Sequence, residues 1–279
     1  MVAKALNSLR VRSAGDWSSR MKVSIVTPTH GRESHLPRLY SAFKEQTHQN
    51  AELLIYADSD IPSQFVASLR DPSVKYIYSK SRVLLGSKRD RMVREATGEV
   101  IAQFDDDDYY APDYVATMLA RLETSDLVKL SGWFLFDSRE RTFYYWDTRR
   151  VLDAHYLVGP GEQSVIVKMP KASAERAEWL DRTLWGFGFS YVFKRRVYDH
   201  VSFDINMNEG QDFPFVADCR RHGFVLDAFP DETGLALHIV HTSNTSRAFP
   251  NYRLPTFLVS GIFGHRVDSY CEPAGSNGG

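Results

Sequence analysis

The sequence predicts an α/β fold: a Rossmann-like, mostly parallel central sheet flanked by helices, with an antiparallel extension in its second half. Three observations lead there. Strand and helix signals alternate from Lys22 to Phe104, polar clusters follow three of the four strand signals, and past residue 126 the alternation gives way to aromatic-rich strand pairs. Ligands of parallel sheets sit at the carboxyl ends of the strands. The clusters at Thr27–Arg32, Asp58–Asp60 and Asp105–Asp108 should therefore converge on one crevice.

Each element has its own signal. "KVSIVTP" is a β-branched run that ends in a Thr-Pro-Thr-His-Gly-Arg loop. "ESHLPRLYSAFKEQT" places Leu36, Leu39, Tyr40 and Phe43 at helical spacing. "AELLIYADSD" is a second strand entering an acidic loop, "SQFVASLR" a short helix and "VKYIYS" a third strand. "SKRDRMVREATGE" reads as a helix stopped at Gly98, and "VIAQFD" as the fourth strand. "YYAPDYVATMLARL" reads as a helix. In the second half, "DLVKLSGWFLFD" and "RTFYYWDTRR" look like antiparallel strands and "KASAERAEWLDRTL" like a helix. "FGFSYVFKRRVY" begins as a strand, "QDFPFVADCRRHG" is a helix ended by Gly223, and "FVLDAF" and "LALHIVH" close the pattern as strands.

Composition narrows the function classes. With 279 residues, 43% hydrophobic and 25% charged, the chain has ample length for a proper core. A formal net charge of -1 argues against a general nucleic-acid binder, which needs a basic face. Cys219 and Cys271 form neither a disulfide framework nor a zinc site, so a reducing, cytoplasmic setting is expected. No run of about 18 apolar residues predicts a membrane span. The basic, Ser-rich first twenty residues lack the apolar core of a secretory signal and read as an extension. Peripheral membrane contact through them stays open.

The densest chemistry lies in "QFDDDDYY". Neighbouring carboxylates at 4 Å repel by about 1 kcal/mol in water and by about 4 kcal/mol at an effective dielectric of 20. Something must offset that repulsion. One reading is a hard divalent cation, Mg²⁺ or Mn²⁺, which takes carboxylate oxygens and would create a diphosphate site. The other is a solvated helix N-terminus whose Asp residues complement the dipole. The block alone leaves both open.

Order and context add a resemblance. "VSIVTPTHGR", "AELLIYADSD", "GSKRDRMVREATGEVIAQFDDDDYYAPDY", "GFGFSYVFKRR", "FDINMNEGQDFPFVADCRRHG" and "HIVHTSNTS" together resemble the family 2 glycosyltransferases over roughly residues 21–246. The resemblance implies the GT-A fold. It implies a nucleotide-sugar-binding half over 21–125, an acceptor-binding and catalytic half over 126–254, and flanking segments at 1–20 and 255–279. It also implies an inverting transfer from a nucleotide-diphosphate sugar, by default a UDP-sugar, with Mn²⁺ or Mg²⁺ as cofactor.

By the same resemblance Asp105 and Asp107 fill the two Asp positions of the family's DxD motif. Asp107 would bind the metal, and Asp105 would face the ribose or the metal. Asp106, on the donor side, fills a variable position and is expected to matter least. Asp108 is a further ligand or a helix cap. Thr27, Pro28, Thr29 and Arg32 match the segment that touches base and ribose. Asp58 matches the second Asp of the family's "DDGS", with Ala57 in place of the first and Asp60 as a substitute. Lys88 and Arg89 stand where a base or phosphate contact is expected.

The general base would come from the acidic pair that opens a helix in the second half. Here Gln211 replaces the usual Glu and Asp212 keeps the Asp. Asp212 is the expected base, with Glu209 in reserve and an N-cap role as the plainer alternative. His241, ahead of His238, is the expected histidine on the metal or diphosphate. Trp185 in "LWGFGFS" is either a sugar-stacking or a packed ring. The acceptor stays unspecified among glycans, lipid-linked carriers and small molecules. Competing readings are a retaining transferase, a nucleotidyltransferase on a similar sheet, and a non-catalytic nucleotide- or sugar-binding module.

Overall fold

A computed structural model describes residues 14–242, 244 and 246–271. The expected N-terminal extension falls mostly outside them; its described part is helix α1 (Ala14–Arg20).

The first half follows the strand–helix alternation. β1 (Val23–Thr29) leads through a short 3-10 turn to α2 (Leu36–Lys44), which buries Leu36, Leu39 and Phe43 on one stripe. β2 (Ala51–Asp58), α3 (Gln64–Ser68) and β3 (Val74–Ser79) follow. α3 is capped by Ser63, whose hydroxyl accepts from the Val66 N–H at 3.0 Å.

α4 (Leu85–Glu95) ends three residues before Gly98. The reason is local. The Thr97 and Gly98 amides turn away to Glu52 Oε1 (2.7 Å) and Ser24 Oγ (2.8 Å), which peels the chain off the helix into β4 (Val100–Gln103). A Cβ on Gly98 would lie 2.6 Å from the Ser24 backbone nitrogen, so only glycine passes there.

Tyr109 and Tyr110 are not the start of a helix. They form the short strand β5 (Tyr109–Tyr110), and the helix α5 (Tyr114–Leu122) begins only beyond Pro112. The second half contains β6 (Leu127–Asp137), β7 (Thr142–Asp147), a hairpin of β8 (Ala154–Leu157) and β9 (Val165–Lys168), and α6 (Ala174–Trp185). After them come β10 (Val192–Lys194), α7 (Asp212–Arg221), β11 (Leu226–Pro230), β12 (Ala236–Val240) and β13 (Tyr252–Leu254). The segment expected as a tail carries α8 (Thr256–Phe263) and α9 (Asp268–Cys271). Val259 and Phe263 of α8 and Val267 are buried with Tyr109, Phe134 and Leu237, which is what holds this segment down.

The main sheet runs β13-β7-β6-β10-β4-β1-β2-β3. β4, β1, β2 and β3 are all parallel, whereas β10 enters antiparallel between β4 and β6. Long β6 is the pivot of the curl: its first half pairs with β10 and β11, its second with β7 and β12. Apolar clusters fill both sides of the sheet, one around Leu53, Met118 and Trp133 and another around Met92, Tyr191 and Phe215. Among the described residues no helix is long and apolar enough to cross a membrane.

Register sets the site. Thr29 lies opposite Ala57, and Val26 opposite Gln103, so the polar segments after β1, β2 and β4 all leave the sheet along one edge.

Candidate active site

Four consecutive aspartates leave β4 at that edge, and three of them are nearly buried: Asp106 at 4%, Asp107 at 6% and Asp108 at 3% exposure. Their own neighbours offset much of the repulsion. Arg32 Nη1 donates to Asp106 Oδ1 (2.7 Å) and to Asp107 Oδ2 (2.6 Å). The Thr29 hydroxyl donates to Asp106 Oδ2, and His241 Nε2 meets Asp107 Oδ2 at 2.8 Å. Because β12 pairs with β5, Ala236 opposite Tyr110 and Leu237 opposite Tyr109, the next residue, His238, falls beside Asp108. Its Nδ1 stands 2.8 Å from Asp108 Oδ2, and the Ile239 amide donates to Oδ1 at 2.9 Å.

These partners make the four carboxylates unlike one another. Burial pushes Asp105 up to about 7 and Asp106 up to about 6, with neighbouring carboxylates adding to the rise. Burial would raise Asp107 as well, but the His241 hydrogen bond and Arg32 hold it down to about 2. Burial works against a charged His238, yet Asp108 and the carboxylates behind it lift the imidazole to about 9. At neutral pH, Asp107 is thus the firmest anion of the block.

The facing wall is built from a second set of charges. Asp58, fully buried, pairs with Lys88 and accepts the Val83 amide at 2.6 Å, while His30 Nδ1 lies 2.9 Å from its Oδ1. Lys88 also donates to the Thr29 carbonyl at 2.8 Å, which ties the early loop to α4. One helical step on, buried Arg89 pairs with Asp212 Oδ1 at the start of α7. Asp212 Oδ2 accepts the Gly188 amide at 3.0 Å. Asp212 therefore sits at the first turn of α7 with each oxygen held by one donor and its side chain 19% exposed.

A crevice of about 320 Å³ separates the acidic block from Asp212. Pro28, Thr29, Arg32, Lys88, Arg89, Asp105, Asp106, Asp107, Glu209, Asp212 and His238 line it, whereas Thr27, Asp58, Asp60, Asp108, Trp185 and His241 do not. That size suits a small polar ligand.

The family model described as Glycosyl transferase family 2 matches residues 24–205, well over half of the chain. The chain belongs to glycosyl transferase family 2. Similar proteins include glycosyltransferase GlyA of Streptococcus pneumoniae serotype 4, 20% identical over 188 residues, covering 66% of this chain and 26% of GlyA. The uncharacterized glycosyltransferase YwdF of Bacillus subtilis is 31% identical over 128 residues, covering 44% of this chain and 47% of YwdF. The chain thus spans less than half the length of these relatives. Among solved structures, the mannosyltransferase PcManGT from Pyrobaculum calidifontis, in complex with GDP-Man and Mn²⁺, superposes with a TM-score of 0.53 at 16% identity. That match covers 79% of this chain and 56% of PcManGT. S. aureus TarS 1-349 in complex with UDP-GlcNAc gives a TM-score of 0.53 at 15% identity, covering 78% and 58%. The fold is GT-A, as expected from the sequence.

Within this family 2 domain the donor set suits a hard divalent ion. Ligand atoms of Asp105, Asp107 and Asp108 lie within 4.8 Å of one another, and so do those of His35, Asp106 and Asp107. Carboxylate oxygens with an imidazole nearby match Mg²⁺ and Mn²⁺. Asp107 belongs to both groups.

Sequence reading missed His35 and Phe187. His35, at the start of α2, is a lone histidine with no flanking signal, yet its ring meets that of His241 edge-on at 5.9 Å. The strand register brings His238 to Asp108, while His241, the histidine favoured from sequence, meets Asp107. Asp106 is more than a variable spacer, since it anchors both Thr29 and Arg32. In "LWGFGFS" Trp185 is buried, and Phe187, at φ 56°, and Phe189 are the rings that line the crevice.

Gly188 offers a direct probe. A Cβ there would press on the Asp212 carboxylate and come within 3.0 Å of Gln103 Oε1. Gly188→Ala is expected to destabilise the fold by about 1–3 kcal/mol, the usual cost of overpacking, as read by denaturant unfolding. It should also displace Asp212 and lower turnover by at least about tenfold.

Proposed function

We propose that this domain transfers a sugar, with inversion, from a nucleotide-diphosphate sugar to an acceptor hydroxyl, in a metal-dependent reaction in the cytoplasm. The observation that carries the reading is one crevice with two opposed functions: a block of carboxylates and imidazoles on one wall, and Asp212 on the other. Pro28, Thr29 and Arg32 would hold base and ribose, with Lys88 lining the same wall and Thr27 and Asp58, both buried, supporting it from behind. Asp107, Asp105 and His241 would hold the cation. Bound there, Mn²⁺ or Mg²⁺ would neutralise charge on the donor diphosphate.

This chain's own residues do the rest. Asp212 takes the proton from the acceptor hydroxyl while the oxygen bonds to the anomeric carbon, and the bond from that carbon to the diphosphate oxygen breaks with the electron pair. Arg89 and the Gly188 amide fix the carboxylate in place, one donor on each oxygen, and each oxygen keeps a further lone pair for the incoming proton. Arg32 keeps the early loop on Asp106 and Asp107. A UDP-sugar is the proposed donor, and GDP-mannose is the other donor to test, since a neighbouring structure holds it.

The test is a thermal-shift screen of UDP, GDP and their sugars, with and without Mn²⁺. A ligand at a hundred times its Kd adds about 2.7 kcal/mol of stability. Stabilisation that requires nucleotide and Mn²⁺ together is the expected result. Nucleotides that stabilise equally well in EDTA would overturn the metal dependence. The anomeric configuration of the transfer product checks inversion.

A further inference from the structure

Lys129 is the third residue of β6 and is completely buried. Its ammonium meets two backbone carbonyls, Leu184 O at 2.5 Å and Gly186 O at 2.7 Å, and faces the rings of Trp133 (5.4 Å) and Tyr191 (5.8 Å). Burial pushes the amine down to about 7 against the attraction of Asp212. A buried ammonium is costly, and a Leu or Met would fill such a slot in an ordinary core.

Its two acceptors bracket the end of α6. The chain then turns through the positive φ of Phe187 and brings the Gly188 amide to Asp212 Oδ2. Between the two acceptors, the Trp185 carbonyl accepts the Tyr191 hydroxyl, which also stands 3.2 Å from the Asp212 carbonyl. Three successive carbonyls, 184 to 186, are therefore held from the sheet side by Lys129 and Tyr191. A Lys at a helix C-terminus also complements the dipole there.

We infer that Lys129 is a positioning residue for Asp212: it locks the end of α6 so that the loop 186–190 presents the Gly188 amide to the carboxylate. This rests on the reading of Asp212 as general base. Lys129 touches no substrate and acts only through the loop.

The test uses the full chain with Lys129→Met, which keeps the bulk and loses both hydrogen bonds, and Lys129→Gln, which keeps an amide donor. Two quantities are read: hydrogen exchange of the amides in 186–190, and nucleotide release from UDP-GlcNAc and GDP-mannose in Mn²⁺. Lys129→Met should speed exchange in that segment by at least about tenfold. It should lower kcat by at least about tenfold with the donor KM within about twofold, and Lys129→Gln should recover part of both. A folded Lys129→Met with wild-type kcat overturns the inference, and so does a loss shared equally between kcat and KM. If the wild type releases nucleotide from neither sugar, the proposed donors fail on their own. Exchange still decides whether Lys129 holds the loop, and unchanged exchange overturns it. If neither variant folds, Lys129 is a scaffold residue and the inference falls.

Discussion

Asp212→Asn is expected to leave nucleotide binding intact and to lower turnover by at least about a hundredfold, the lower end of what a lost general base costs. The substitution is nearly isosteric, and an amide oxygen can still accept one of the two donors that hold the carboxylate, Arg89 or Gly188. What disappears is the group that takes the acceptor proton. A stability cost accompanies the change. Arg89 is nearly buried and loses the charge on its partner, which should destabilise the fold by about 1–3 kcal/mol. Asp105 also attracts Arg89, so the guanidinium is not left without compensation. The measurement therefore pairs product formation with Mn²⁺-dependent binding of UDP or GDP on the same preparation. Retained binding with lost transfer supports the base assignment, and normal turnover would sink it. Glu209→Gln is the companion variant. Glu209 lines the same crevice and is exposed, so its loss should change turnover by no more than about threefold if Asp212 alone is the base.

The sheet was legible because its signals are local. The β-branched run of β1, the apolar core of β2 and the Gly-terminated α7 are each encoded within a dozen residues. Polar segments after three strands were enough to place the crevice, since parallel register turns sequence order into one edge. The misses are long-range. β5 takes Tyr109 and Tyr110 away from the helix because their partners, Ala236 and Leu237, lie more than a hundred residues on. That same pairing delivers His238 to Asp108, which no spacing within "LALHIVH" could announce. Lys129 was invisible for a related reason: in "DLVKLSGWFLFD" it reads as the polar face of a strand, whereas β6 is covered on both sides. The acidic block shows both limits together. Its place after β4 was readable, but the identity of its counter-charges, Arg32, His238 and His241, depends on a loop and a strand far away in the chain.

Asp107→Ala should abolish the Mn²⁺-dependent part of nucleotide binding, a larger effect on binding than any other single change in the block. Asp107 is common to both groups of close ligand atoms and is the carboxylate held most firmly ionised. Removing it also deletes the acceptor shared by Arg32 and His241. Two energies then oppose. One fewer buried carboxylate relieves repulsion of about 4 kcal/mol per close pair at an effective dielectric of 20, while Arg32 keeps only Asp106 among its carboxylate partners in the block. The net change in stability should be small compared with the loss of metal response, and denaturant unfolding in EDTA separates the two. Asp106→Ala discriminates further. Asp106 holds Thr29 and Arg32 through its two oxygens, so its loss should loosen the early loop and weaken nucleotide affinity while the remaining affinity still rises with Mn²⁺. Opposite behaviour, with Asp106→Ala blind to Mn²⁺ and Asp107→Ala responsive, would overturn the place of Asp107 as a cation ligand in either group.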